Sequence, residues 1–583
     1  MLNFLKRLGV NEQITLSGIA VFIGIMVGYG AILFRRLIDF FQFIFMGSGD
    51  EDVVTILEGL SWWHILLMPA VGGLIIGPLV HFLLPGARGD GVPEVMAAVA
   101  LRGGKINAKD GLGKIVACAL SIGSGGSVGR EGPVVHLGAT IASWFGGYLN
   151  MTTKHMRTMV GCGVAAGIAA SFNAPIAGVM FSLEVIMGDY GLTTFSPIVL
   201  SAVIATVVAR VHLGDFPAFV VPHYTLVSVW EIPAYVGLGL VCGLTGILFM
   251  HTLFKTEDWI AKISVPIYFK PMLGGLMVGL IALMYPQIMG VGYDTMNHAL
   301  QEEMPGMVML TLVFIKIVAT AITLGSGFSG GVFTPSLFLG AMVGGAYGTY
   351  AHSLFPALSA GPGAYSLVGM GAMCASVLGA PITSILVLFE LTRDYRIMLS
   401  LMVSSIVASL LINQIYHHSV FTRALSRKDI NLHSHRESNL LRDIPVGAIM
   451  RRSCPIVADT TTLHRIKEMI HQSREEFFLV KDGSGAIKGT LSFREMRGVT
   501  LQEDLEYLLL VRDIPMQKIL TALPTDDLFE TFRQMGTEGI EQVVVISQND
   551  PSQVLGVLTN HDVIRAYNTA LMDRESGQSE SWR

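Results

Sequence analysis

The sequence predicts a multi-pass α-helical membrane protein made of two related halves of broken, half-spanning helices, followed by a smaller α/β module. Three observations predict it. The chain has 583 residues, of which 51% are hydrophobic and only 14% charged. Soluble domains carry about 25% charged residues, and the mean hydropathy here is +0.57. Next, one apolar stretch is written twice. Residues 114–139 read KIVACALSIGSGGSVGREGPVVHLGA and residues 316–341 read KIVATAITLGSGFSGGVFTPSLFLGA, an offset of 202. A second echo follows at an offset of 206, where Ala174-Pro175-Ile176 and Glu184 match Ala380-Pro381-Ile382 and Glu390. Finally, the composition turns soluble near residue 430, and a separate repeat begins.

The membrane region takes in residues 1–430, with its halves at about 14–212 and 232–420. The first apolar run, 14–34, is too long for a signal peptide and reads as a retained span. Lys6 and Arg7 before it favour a cytoplasmic N-terminus. Apolar blocks then recur at 64–84, 111–122, 134–149, 157–187, 196–212, 232–254, 271–290, 307–326, 331–352, 365–394 and 398–416. Several fall short of the roughly 20 residues that cross a bilayer. Glycine or proline interrupts them, and such irregular backbone survives at membrane depth only where it is buried or lines a wet cavity. The sixty-five glycines suit close helix packing. Two glycine-broken halves suggest a transporter or channel with its site between the repeats.

In the soluble region LRDIPVGAIM (441–450) is echoed by VRDIPMQKIL (511–520), and residues 477–495 by 543–562. Each copy is predicted to run helix, short strand, turn, strand, helix. This region resembles a tandem pair of CBS domains, at 441–500 and 511–570, with a tail at 571–583. The resemblance implies a cytoplasmic regulatory module in which Thr559 and Asp562 of the second copy hold the ribose of an adenine nucleotide. A purely structural gating module is the alternative. The first copy offers a less typical segment, Gly489 to Glu495.

Several classes are set aside. The net charge of -5 is mild, with no basic stripe, so nucleic acid is not expected as a partner. Cys118, Cys162, Cys242, Cys374 and Cys454 form no CxxC pair. Sixteen scattered histidines and no nucleophile–base arrangement argue against an enzyme, a resident metal or a required cofactor. His417-His418 and His433/His435 read first as solvated polar residues and second as a metal or pH-sensing patch, and His136 as a pH modulator.

The glycine-rich turns lack the Gly-Lys-Ser/Thr ending of a phosphate loop. Their other use is to let helix N-termini approach a buried anion, bound by free N–H groups and the positive end of the helix dipole. Weak binding of that kind suits conduction, because the ion must also leave. Gly129-Arg130-Glu131-Gly132-Pro133, Gly330-Gly331-Val332-Phe333-Thr334-Pro335 and Gly89-Asp90-Gly91-Val92-Pro93, in that family's order and spacing, resemble the three signature segments of the CLC chloride channel and transporter family. The resemblance implies two inverted repeats, a homodimer in the bilayer with one path for chloride and other small anions in each subunit, and location in a bacterial inner membrane. It implies that Glu131 is a gate competing with chloride for the outer site, served by amides of Gly129, Arg130 and Gly132. It also implies that the Val332 and Phe333 amides ligate the central ion.

Two positions depart from that family's pattern. Asp90 stands where a serine hydroxyl is common, and an ionised carboxylate about 4 Å from an anion repels it by about 4 kcal/mol at an effective dielectric near 20. Asp90 is therefore expected to be turned away, protonated, or paired with a cation such as Arg88. Phe421 stands where a tyrosine hydroxyl is common. Val185 occupies the position of the inner glutamate of many proton-coupled members, which tilts the reading toward passive chloride conduction and leaves chloride/proton exchange as the alternative. Glu184, like Glu390, reads as a structural residue hydrogen-bonded at a helix end. Asp90 and Phe421 keep open a third reading, a membrane-anchored nucleotide sensor that moves no ions.

Overall fold

The computed structural model describes residues 12–430 apart from 50–51, 189, 216–218, 220–221, 223, 225–226 and 393–394. It also describes residues 441–575 apart from 442–443, 453–454, 473–476, 484, 493–495, 497–506, 518, 549 and 551–552. Cys454, His433, His435 and the end of the first copy's Gly489–Glu495 segment lie outside these. The chain forms two compact units, Met1–Asn431 and Leu432–Arg583.

The first unit is entirely helical among its described residues. Its α-helices of seven or more residues are α1 (Glu12–Met46), α2 (Trp62–Pro78), α3 (Val92–Leu101), α4 (Ala108–Gly123), α5 (Glu131–Tyr148), α6 (Thr153–Phe172), α7 (Pro175–Phe181) and α8 (Leu192–Leu213) in the first half. The second half holds α9 (Ile232–Lys262), α10 (Lys270–Ala282), α11 (Tyr293–Leu300), α12 (Gly306–Ser326), α13 (Phe333–Leu354), α14 (Pro362–Leu378), α15 (Pro381–Thr392), α16 (Met398–Ile415) and α17 (Val420–Ser426). Among the described residues, six stretches are long and apolar enough to cross a membrane, and others such as 92–101, 175–187 and 381–392 are apolar but short. Trp62, Trp63, Trp144, Trp230 and Trp259 are exposed, as expected of aromatic side chains at a lipid–water boundary.

Two blocks expected as single stretches, 157–187 and 365–394, each divide in two. The reason is the same in both repeats. Asn173 (φ 57°) and Gly379 (φ 67°) adopt the left-handed conformation that ends a helix. Pro175 and Pro381 then sit in the first turn of the next, where a missing N–H costs nothing.

The repeats are related by an internal two-fold, and main-chain bonds reveal it. Gly129 donates to the Gly331 carbonyl at 2.8 Å, and Gly331 donates back to Gly129 at 2.7 Å. These are equivalent residues of the two copies. Equivalent residues that pair antiparallel, each giving and receiving the same bond, lie on a two-fold axis. A second exchange obeys the same axis. Glu184 accepts from the Ile382 and Thr383 amides at 3.2 and 2.8 Å, capping α15. Glu390 accepts from the Ile176 and Ala177 amides at 3.0 and 2.7 Å, capping α7. Each carboxylate thus answers orphan donors of the other repeat's half-helix. The halves are inverted with respect to each other.

Packing repeats too. Gly138 on α5 meets Gly163 on α6 so closely that a methyl on either would lie 2.1 Å from the other's carbonyl oxygen. Gly340 on α13 and Gly369 on α14 do the same at 2.3 Å.

The second unit holds two similar sheets. In one, β1 (Ile456–Ala458) runs parallel to β2 (Phe477–Lys481), which pairs antiparallel with β3 (Ile487–Ser492). In the other, β4 (Leu520–Ala522), β5 (Gln542–Ile546) and β6 (Val554–Thr559) repeat that order. The crossovers are α18 (Leu463–Gln472) and α19 (Leu528–Glu538), and α20 (Asn560–Glu575) closes the second copy. Each copy therefore gains a leading strand beyond the expected pattern. At three residues it carries too short an alternation to be read, and only pairing with the central strand defines it. Phe477 and Leu479 of one sheet pack against Val544 and Val557 of the other.

The glycine contacts generate a stability prediction. Gly138→Ala and Gly340→Ala should each destabilise the detergent-purified protein by about 1–3 kcal/mol, because the backbone has no room to yield. Gly147→Ala, at an exposed helical position with nothing within 4 Å, should be neutral or stabilise by up to about 1 kcal/mol. Thermal unfolding of the three variants checks this, and equal losses in all three would contradict it.

Candidate functional site

The N-termini of α5 and α13 meet beside the Gly129–Gly331 bridge, brought there by the two-fold. Both helices begin after a glycine-rich turn whose small residues allow the backbones to touch. A side chain on Gly330 would collide with Val128 at 2.5 Å, and one on Gly126 with the Ser121 carbonyl at 2.6 Å. Ser127 and Thr320 join hydroxyls across the repeats at 3.2 Å.

Glu131 is the first residue of α5 and is 1% exposed. Its carboxylate is held chiefly by hydroxyls. Thr334 donates to one oxygen, and Tyr293 donates to the other at 3.3 Å. Arg130 approaches no closer than 4.0 Å, and its guanidinium lies over the Tyr293 ring, 5.1 Å from the centroid. A static Arg130–Glu131 pair is thus a minor part of this carboxylate's surroundings. Such a group, buried and facing two neutral donors, can lose and regain its partners at modest cost compared with a tight buried ion pair.

Asp90 departs from two of its three expectations. It is neither turned away nor paired with Arg88. One oxygen accepts from the Val332 amide at 2.9 Å, and the other from the Val92 amide at 3.1 Å. The physical reason is local. Gly89 and Gly91, with φ of 84° and 104°, place Asp90 just before Gly91, the N-cap of α3, and the start of α13 supplies a second donor. The nearest ammonium, Lys114, is engaged elsewhere. It donates to the Arg88 carbonyl at 3.1 Å and lies 3.6 Å from Glu94.

The remaining expected residues divide. The Gly129 amide is spent on the repeat bridge, which corrects its expected place among the anion donors. Gly132 sits against Asp90, where a side chain would meet Oδ1 at 2.5 Å. Val332 gives its amide to Asp90, and the Phe333 ring packs on Phe172 and Phe181, with centroids 5.2 and 6.3 Å away. Phe421 is buried in the first turn of α17, a helix that begins with a Ser419–Thr422 capping box and packs against α3 and α14. Val185 is buried in a π-helical turn, Ser182–Met187, beside Glu184. In the second unit, Thr559 donates its hydroxyl to Asp562 at 2.7 Å, and Arg451 pairs with the same carboxylate at 2.9 Å.

Two residues of the site escaped the sequence reading, Tyr293 and Thr334. Thr334 lay inside a segment already singled out. Tyr293 follows Gly290-Val291-Gly292, whose glycines have positive φ like Gly89 and Gly91. Extending the repeat search to an offset of 201 would have found it.

With this geometry in hand, the comparisons with known proteins are specific. The profile described as "Voltage gated chloride channel" matches residues 72–413, and a CBS domain profile matches 511–569. A ClcB-like chloride channel protein of Ralstonia nicotianae is 36% identical over 413 residues, which is 70% of this chain and 96% of that protein. Among solved structures, a slow cyanobacterial Cl-/H+ antiporter superposes with a TM-score of 0.65 at 24% identity, over 72% of this chain and 98% of its own. A eukaryotic CLC transporter superposes with a TM-score of 0.61 at 19% identity, over 94% of this chain and 97% of its own. These two structures share the fold. Two helix N-termini meeting at a repeat axis around buried carboxylates, joined to a profile match across 72–413 and a relative at 36% identity, make this chain a member of the voltage-gated chloride channel (CLC) family.

Proposed function

We propose that the chain is a homodimeric chloride transporter of the passive kind, with one anion path in each subunit and Glu131 as its gate. One observation carries the reading: a buried carboxylate at the N-terminus of α5, held mainly by two hydroxyls, beside the N-terminus of α13. Helix N-termini favour anions. An ionised Glu131 therefore competes with chloride for the same positive ends, and a protonated one does not. Anion flux should rise as pH falls. Protonation removes the carboxylate's claim on the donors, and raising the pH restores it.

Val185 supports passive conduction, since its buried side chain carries no titratable group to relay a proton. Glu184 beside it is occupied by three donors, the Ile382 and Thr383 amides and the Thr383 hydroxyl. The antiporters among the structural neighbours make chloride/proton exchange the second reading. For the CBS pair we propose a regulatory role. In the Thr559–Asp562–Arg451 set, one Asp562 oxygen is held by Thr559 and the other accepts from Arg451, so an adenine nucleotide at this position would share Asp562 with Arg451.

Liposome experiments on the full chain test this. Glu131→Gln should raise chloride efflux at neutral pH and remove most of its pH dependence, and strongly pH-dependent flux unchanged from wild type would exclude Glu131 as the gate. Tyr293→Phe and Thr334→Val each remove a hydrogen bond to an ionised group, about 1.5–3 kcal/mol. Each should shift the gate toward opening by about tenfold or more, seen as greater efflux at neutral pH. Under opposed chloride and proton gradients, the reversal potential should follow chloride alone. A shift with the proton gradient would replace passive conduction by exchange.

A further inference from the structure

We propose that Asp90 is a second, built-in anion that occupies the donor site at the start of α13 and competes there with the permeant ion. This rests on the reading of the crossing as an anion path, and it adds a second carboxylate in series with Glu131.

The geometry is that of a bound anion. The Asp90 carboxylate bridges the amide of Val92 at the start of α3 and the amide of Val332 at the start of α13. These helices have 10 and 22 residues. Both deliver an N–H and the positive end of a dipole to one small negative group. Glycines make the cradle. A side chain on Gly132 would lie 2.5 Å from one carboxylate oxygen, and one on Gly331 would lie 3.4 Å from the other.

The surrounding charges do not substitute for those donors. Glu94 on α3 shares its own helix with the site, and Arg88 precedes it in the chain. Lys114 on α4 is taken by Glu94 and the Arg88 carbonyl. From α5 come Glu131, bound to Thr334 and Tyr293, and His136, whose Cβ would lie 3.1 Å from one on Gly91. The first turn of α13 offers Phe333 and Thr334, neither of which titrates. The donors that hold Asp90 are thus those that a free anion would use, and both cannot hold them at once.

Two consequences follow. Chloride reaches the Val332 amide only when Asp90 takes a proton and so gives up its hold on that donor. Chloride binding there is then linked to proton uptake even when Glu131 has been neutralised.

The test uses the full-length protein in detergent, with chloride itself as probe. Titration calorimetry of Glu131→Gln in buffers of differing ionisation enthalpy should show uptake of about one proton per chloride bound, with binding about tenfold tighter for each unit of pH decrease over the range in which Asp90 is ionised. Adding Asp90→Asn or Asp90→Ser should abolish that linkage and tighten chloride binding at pH 7.5 by about tenfold or more. Proton-independent binding in Glu131→Gln would overturn the proposal. So would an unchanged chloride affinity in the folded Asp90 variants. Because the linkage is measured with Asp90 intact, the result stands even if the Asp90 variants do not fold. Efflux from liposomes separates the two claims: linkage without flux in any variant would remove the transport reading and leave Asp90 as an anion surrogate.

Discussion

The paired main-chain bonds between Gly129 and Gly331 are the constraint on which the rest depends. They bind the two halves of the membrane unit at equivalent residues, and only an internal two-fold permits that. Once they form, the N-termini of α5 and α13 are brought side by side, and Glu131 and Asp90 are placed between them. The site is a consequence of the axis. The same symmetry explains why Glu184 and Glu390 are reciprocal caps. A half-helix that ends inside a membrane leaves donors that no water satisfies, and each repeat supplies the carboxylate the other lacks.

Symmetry builds the frame, and its violations build the chemistry. At the start of α5 the chain places Arg130 and Glu131. At the start of α13 it places Val332, Phe333 and Thr334. The first copy contributes a titratable group and the second contributes neutral donors. The turns before α3 and α11 diverge in the same manner. Between glycines of positive φ, one carries Asp90 and the other Val291. A single carboxylate therefore enters at each of two crossings, and each finds hydroxyls or amides rather than a lysine or arginine. Lys114 and Lys316, although fully buried, are turned to backbone carbonyls.

Much of this was legible in the sequence. The doubled segment exposed the two halves, although the breaks before Pro175 and Pro381 were passed over as parts of single blocks. The role of Glu184 and Glu390 as caps could be read from their equivalent positions. What could not be read were long-range partners. That Asp90 binds the Val332 amide depends on 242 intervening residues folding back, and no local pattern encodes it. The expectation of a cation partner for Asp90 failed because helix N-termini serve as a cation would. The Gly129 amide looked like an anion donor for the same reason that it became a bridge: it is unhindered. Tyr293 was missed because the repeat was followed only where the residues were identical. In the second unit the leading strands, three residues each, were defined only by their pairing.

The central claim is that carboxylates and permeant anions contend for one set of backbone donors. Anomalous scattering from bromide-soaked crystals of the wild-type protein tests it most directly, with data collected at low and at neutral pH. The account predicts a bromide peak within hydrogen-bonding distance of the Val332 amide at low pH, with the Asp90 carboxylate moved off it, and no peak there at neutral pH. A bromide at neutral pH beside an Asp90 still bound to Val332, or no bromide at that amide at either pH, would contradict it.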